Sequence, residues 1–117
     1  MTPAPIKDLI SYDDFAKLDI RVGRITQVVE VAKSDKLMKL IVDFGDHERS
    51  ILAGIKQERE NPQEIEGKQA LFVMNLPERK MAGELPQGML FDIGYEDKLT
   101  PCLAMPECDV PNGSRAG

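Results

Sequence analysis

Tryptophan is absent from the 117 residues, histidine occurs once, cysteine twice, and aromatic residues make up only 5%. Each scarcity removes a class of chemistry. One histidine and two cysteines cannot supply a nucleophile, its base and an orienting third group. Cys102 and Cys108, six apart, fit no common zinc spacing and no disulfide framework, so they read as reduced thiols of a cytoplasmic protein. His47 follows Gly45-Asp46 and reads as an exposed turn residue. The paired carboxylates Asp13-Asp14, Glu58/Glu60 and Glu96-Asp97 all lie in polar segments, where a solvated face explains them. No glycine-rich phosphate loop follows a strand. The sequence therefore reads as that of a protein that is not an enzyme, with no cofactor and no metal site. Apolar runs of the roughly 20 residues that span a bilayer are missing too, so no membrane partner is expected. Met1-Thr2-Pro3-Ala4-Pro5 has neither the basic nor the apolar region of a signal peptide. Phe44, Phe72, Phe91 and Tyr95 read mostly as core, which leaves few rings for stacking on single-stranded bases.

What is present is a mid-sized chain of ordinary globular balance, 42% hydrophobic and 30% charged, enough for one domain with one core. Residues 1–10 read as a loose leader. Ser11, three before Asp14, resembles a capping box opening a short helix that carries Phe15 and Leu18. From Leu18 the pattern turns strand-like. Ile20 and Val22 share one parity and Ile25, Gln27 and Val29 the other, which predicts a long first strand with a bulge at Gly23-Arg24. Leu37 to Phe44 alternates as a second strand, Gly45-Asp46 makes a hairpin turn, and Glu48 to Ala53 returns as a third. A helix near Pro62 separates these from a fourth strand at Lys68 to Asn75. Met89, Phe91, Ile93 and Tyr95 alternate as a fifth, and the tail from Leu99 reads as mostly irregular with one or two short strands. Five short strands with one helix between the third and fourth predict a mostly all-β chain, a five-stranded OB-fold barrel over residues 11–98. An SH3-like barrel or an open sheet remain as pattern-level competitors. Residues 99–117 form a C-terminal extension, apolar enough at Leu99, Leu103, Met105 and Val110 to be a dimerisation segment.

The net charge of −5 runs against phosphate binding, yet a local basic patch is felt only within a Debye length of about 8–10 Å. Six cations fall in segments that would build a barrel's binding groove. Lys33 and Lys36 precede the second strand, Lys39 and Arg49 sit on neighbouring strands, and Arg79 and Lys80 occupy the loop after the fourth. That placement favours reading a folded RNA by shape and backbone.

The stretch Asp14-Phe15-Ala16-Lys17-Leu18-Asp19-Ile20-Arg21-Val22-Gly23, followed by Ser34-Asp35-Lys36-Leu37, Val42-Asp43-Phe44-Gly45 and Ala53-Gly54-Ile55, resembles the tRNA-binding domain family. Asn75-Leu76-Pro77-Glu78-Arg79-Lys80-Met81, Gly88-Met89-Leu90, Met105-Pro106 and Val110-Pro111-Asn112-Gly113-Ser114 continue the match over about residues 12–115. The family includes the C-terminal domain of methionyl-tRNA synthetases and stand-alone structure-specific tRNA-binding proteins. The resemblance implies binding of the tRNA outer corner largely independent of identity, homodimerisation through the extension, and partnership with a methionyl-tRNA synthetase catalytic subunit. Its binding positions carry over to Lys36, Arg79, Lys80 and Met89. The initial Met and the short tail favour a free-standing protein. Two departures stand near the groove: Pro86 where the family usually has Ser, and Asp92 where it favours small residues. The alternative is an export-related branch of homodimeric peptide-binding chaperones, which lacks the Ser-Asp-Lys-Leu and Ala-Gly-Ile motifs kept here.

Overall fold

Apolar residues at alternate positions put Met38, Leu40, Val42 and Phe44 on one face of a strand, and all four are buried in the computed structural model, which describes all 117 residues. That strand, β2 (Met38–Asp43), lies between β1 (Ile20–Glu30) and β3 (Glu48–Ala53), antiparallel to both. β4 (Gln69–Val73) pairs with the first half of β1, and β5 (Met89–Leu90) pairs with β4. The order is β3-β2-β1-β4-β5, and the ends meet where the Gln87 amide donates to the Ser50 carbonyl at 3.0 Å. Five antiparallel strands curled in this order are an OB-fold barrel. Its core holds Ile25, Leu40, Ile51, Ile65 and Phe72, with Phe44 edge-on to Phe72 at 5.4 Å.

A long β1 serves both sides of the barrel, pairing with β4 through residues 20–24 and with β2 through residues 24–30. The irregularity falls between Ile25 and Gln27, not at Gly23-Arg24. Parity reports that the buried face changes, but the point at which the ladder slips depends on the partner strand. Gly23 serves packing instead: a Cβ there would strike the side chains of Val42 and Phe44. The Ser11 cap forms as expected, its hydroxyl accepting from the Asp14 amide at 3.0 Å over α1 (Tyr12–Phe15). The segment before β4 is a single 3-10 turn, Pro62–Ile65, with proline at its start and Ile65 buried beneath it.

The fifth strand differs from its sequence reading. It breaks after Leu90, and β6 (Asp92–Ile93) leaves the barrel to pair with β7 (Cys102–Leu103). Leu90 is the buried residue, while Met89, Phe91, Ile93 and Tyr95 are exposed. Alternation survives there with the opposite face inward, so Phe91 and Tyr95 are not core. The tail is stitched to its own barrel: β8 (Arg115–Ala116) pairs with β1, and the Leu71 amide donates to the Ala104 carbonyl at 3.0 Å. No helix is long and apolar enough to cross a membrane.

Candidate functional site

The broken fifth strand opens a groove of about 1240 Å³ beside the end of β3. One wall comes from Lys36 and Leu37 at the entry to β2, another from Leu76 to Arg79 after β4, and a third from Gly88 to Asp92. Lys36, Arg79 and Met89, three of the residues singled out in the sequence, line it together. Met89 is 47% exposed because its neighbour Leu90 takes the inward position.

Local chemistry positions the Lys36 wall. The Ser34 hydroxyl accepts from the backbone amides of Lys36 and Leu37 at 3.2 and 3.0 Å, a side-chain turn that presents the lysine outward. Lys56, a cation that sequence reading passed over, ties itself to the same loop. Its amide donates to the Lys36 carbonyl at 3.1 Å and its Nζ to the Ser34 carbonyl at 3.2 Å. The Ala53-Gly54-Ile55 motif directly before it was the available signal.

The other selected cations lie outside the groove lining. The exposed Lys33 runs alongside Gly83, and Lys39 pairs with Glu84 at 3.0 Å, so both border the loop that carries Arg79 and Lys80. Lys80 is exposed and has no ion-pair partner in the fold. Arg49 is half-buried, its Nη1 donating to the Met74 carbonyl at 2.9 Å and its Nε to His47 Nε2 at 3.0 Å.

The opposite end of the groove is acidic. Glu58, Asp92, Glu96 and Asp97 line it, while Glu78 stands beside Arg79 on the wall with the cations, so phosphate is welcome only where Lys36 and Arg79 lie. Burial pushes the Glu58 carboxyl above its ordinary range, and the facing Asp92 adds to the rise while Arg59 opposes it. Burial likewise raises Asp92. The exposed Phe91 and Tyr95 also line this end, where a ring face can meet a base or an apolar side chain.

A closed barrel with a mixed-charge groove open at one edge defines a binding module of the kind that takes oligonucleotides. The chain belongs to the tRNA-binding domain family: the profile described as "Putative tRNA binding domain" matches residues 20–115. It is 45% identical over 107 residues to the methionine–tRNA ligase of Methanococcus aeolicus, covering 92% of this chain and 15% of that protein. This chain thus spans a small part of the ligase. Among solved structures, the MetRS-related protein of Pyrococcus horikoshii is similar with a TM-score of 0.86 and 38% identity, over 95% of this chain and 100% of that one. The chaperone CsaA of Bacillus anthracis is similar with a TM-score of 0.83 and 26% identity, over 94% of this chain and 100% of that one.

Proposed function

We propose that this chain is a non-catalytic tRNA-binding protein or synthetase accessory domain that grips tRNA by shape and backbone. The observation that carries the reading is the meeting of Lys36, Arg79 and Met89 in one groove of a barrel from this family. Lys36, Lys56, Arg79 and Lys80 supply phosphate contacts, with Lys33 and Lys39 flanking them, and the Met89 thioether packs on a sugar or base. The protein acts in the cytoplasm, beside a methionyl-tRNA synthetase catalytic subunit, as a homodimer. The ribbon of β6 and β7 supports the dimer, because it forms a sheet separate from that of the barrel and leaves Ile93, Leu99 and Met105 exposed around it. Residues 99–117 thus serve both their own barrel and the partner.

One experiment tests ligand and assembly together. Light scattering at micromolar concentration gives twice the chain mass of 13.0 kDa, and the mass rises further on adding total tRNA. A monomer overturns the dimer, and no rise with tRNA overturns the ligand. Binding of unfolded peptide in place of tRNA would move the chain to the chaperone reading, which the likeness to CsaA supports.

The acidic end makes the grip pH-dependent. Burial holds Glu58 and Asp92 above their ordinary values, so as pH falls they take up protons earlier than a free glutamate or aspartate does. Losing two negative charges beside bound phosphate weakens repulsion. Affinity for tRNA therefore rises as pH falls from neutral into the carboxylate range at constant ionic strength. The pair Glu58→Gln and Asp92→Asn raises affinity at pH 7 and flattens the profile. An affinity that falls on acidification in the wild type, with no gain in the variant, contradicts this.

A further inference from the structure

Arg49 carries a positive charge next to the groove, and the simplest role for it is a phosphate contact. Its bonds say otherwise. Nη1 donates to the Met74 carbonyl at 2.9 Å, at the end of β4, and lies 3.5 Å from the Gln87 carbonyl in the segment entering β5. Nε donates to His47 Nε2 at 3.0 Å, which assigns the ring proton to Nδ1, facing Asp46 Oδ1 at 2.6 Å. The guanidinium carbon stands 6.0 Å from the centre of the buried Phe44 ring, on which His47 also stacks at 5.6 Å. One side chain on β3 thus reaches the ends of two other elements while held from behind by a histidine and an aromatic ring.

We propose that Arg49 is a positioning residue, a latch that holds the Gln87-Gly88-Met89 wall of the groove in place and acts on the ligand only through Met89. The inference rests on the reading of the groove as the tRNA-binding surface. Apart from Arg49, only backbone bonds to β3 and β4 tie this wall down. Pro86 is buried, but β5 is only two residues long and begins at Met89 itself. Gly88 has φ +103° and packs so close to the Val73 carbonyl that a Cβ would come within 2.7 Å, with Arg49 Nη1 3.8 Å away on the same side. The Gln87 amide is bonded to the Ser50 carbonyl, next to Arg49 along β3. Removing the guanidinium frees the carbonyls of Met74 and Gln87, and the barrel seam between β3 and β5 loses its side-chain tie. Met89 then samples positions off the groove, and its contribution to binding is lost with the latch.

The test uses Arg49→Met, which keeps the apolar stem, and Arg49→Lys, which keeps the charge but cannot span the same acceptors. Hydrogen exchange is read first, without ligand. In both variants the amides of residues 87–90 exchange about tenfold faster or more, while those of Ile25 and Leu40 keep their protection. Unchanged exchange at residues 87–90 overturns the latch whether or not the protein binds tRNA. If Arg49→Met unfolds globally, Arg49→Lys gives the same reading. Binding to total tRNA is measured next. Both variants lose about tenfold in affinity with an unchanged slope of log affinity against log salt, and Met89→Ala costs nothing further in either background. A slope that falls by about 0.7–0.9 in Arg49→Met and is kept in Arg49→Lys makes Arg49 a phosphate contact and overturns the proposal. Faster local exchange in a protein whose wild type ignores tRNA leaves the latch standing and removes the ligand.

Discussion

Replacing Gln69 by Ala lowers the thermal midpoint by about 10 °C, the largest loss expected from a single surface-to-core contact in this chain. Gln69 is the only buried polar side chain, 3% exposed, and every one of its polar atoms is committed to the tail. Its Nε2 donates to the Val110 carbonyl at 2.6 Å and to Asn112 Oδ1 at 2.8 Å, and its Oε1 accepts from the Val110 amide at 3.1 Å. Alanine leaves these groups unpaired beside the core at roughly 1 kcal/mol each or more, and it leaves a void where the amide lay. The total is about 2–4 kcal/mol, in a domain of a size where each kcal/mol moves the midpoint by about 3–6 °C. Nearby contacts amplify the effect. The Gly113 amide donates to the Val22 carbonyl at 2.7 Å and the Val22 amide to the Ser114 carbonyl at 2.8 Å, so loosening Val110 to Asn112 strains the pairing of β8 with β1. Thermal unfolding followed by circular dichroism checks it, together with faster proteolysis of the tail. A shift under about 2 °C would mean that water satisfies the freed groups and that the tail holds by other contacts.

That tail shows where sequence legibility ends. The composition of residues 99–117 announces a segment that must bury apolar atoms, but not which surface covers them. The answer lies in bonds from Gln69 and Val22, some 40 and 90 residues away along the chain, which no local pattern encodes. β2 and β3 were legible because one buried face and a glycine turn leave a single register. β5 was not, because Met89, Phe91, Ile93 and Tyr95 alternate convincingly while Leu90 is the residue that enters the core. The four apolar residues on that parity lie at the surface instead. The exposed Phe91 and Tyr95 in the groove are the outcome. Among the site residues, Lys36, Arg79 and Met89 were readable from family motifs, and the structure gathers them. Lys56 was missed, and Glu58 was read as part of a solvated face, because a lysine or glutamate in a charged stretch carries no periodic signal. Their relevance comes from what the fold sets opposite them: the Ser34 carbonyl for Lys56, Asp92 for Glu58.

The double replacement Arg79→Ala and Lys80→Ala weakens binding to all tRNAs alike, on the order of ten- to thirty-fold at moderate salt, about 1 kcal/mol per exposed cation. The two residues occupy an exposed loop after β4 that has its own geometry: Met81 and Glu84 form an isolated bridge, and Glu84 is held by Lys39. The loop therefore keeps its shape without them, since Arg79 makes only a long contact of 3.6 Å to the Met81 sulfur. Stability should change little, which separates this variant from Gln69→Ala. The salt dependence carries the diagnosis. Each phosphate contact removed reduces the steepness of log affinity against log salt by about 0.7 for single-stranded and 0.9 for duplex backbone, so the measured change counts contacts and reports which kind they were. Uniform loss across tRNA identities is required because phosphates carry no sequence information. A loss confined to some tRNAs would place Arg79 or Lys80 on a base edge instead. The acidic end makes these two cations matter more than their number implies: with five carboxylates on the same groove, few other places tolerate a phosphate. The double variant in the Glu58→Gln, Asp92→Asn background should consequently lose less than it does in the wild type, since phosphates gain alternative positions once the far end is neutral. Equal losses in the two backgrounds would show that the acidic end lies outside the reach of the bound RNA.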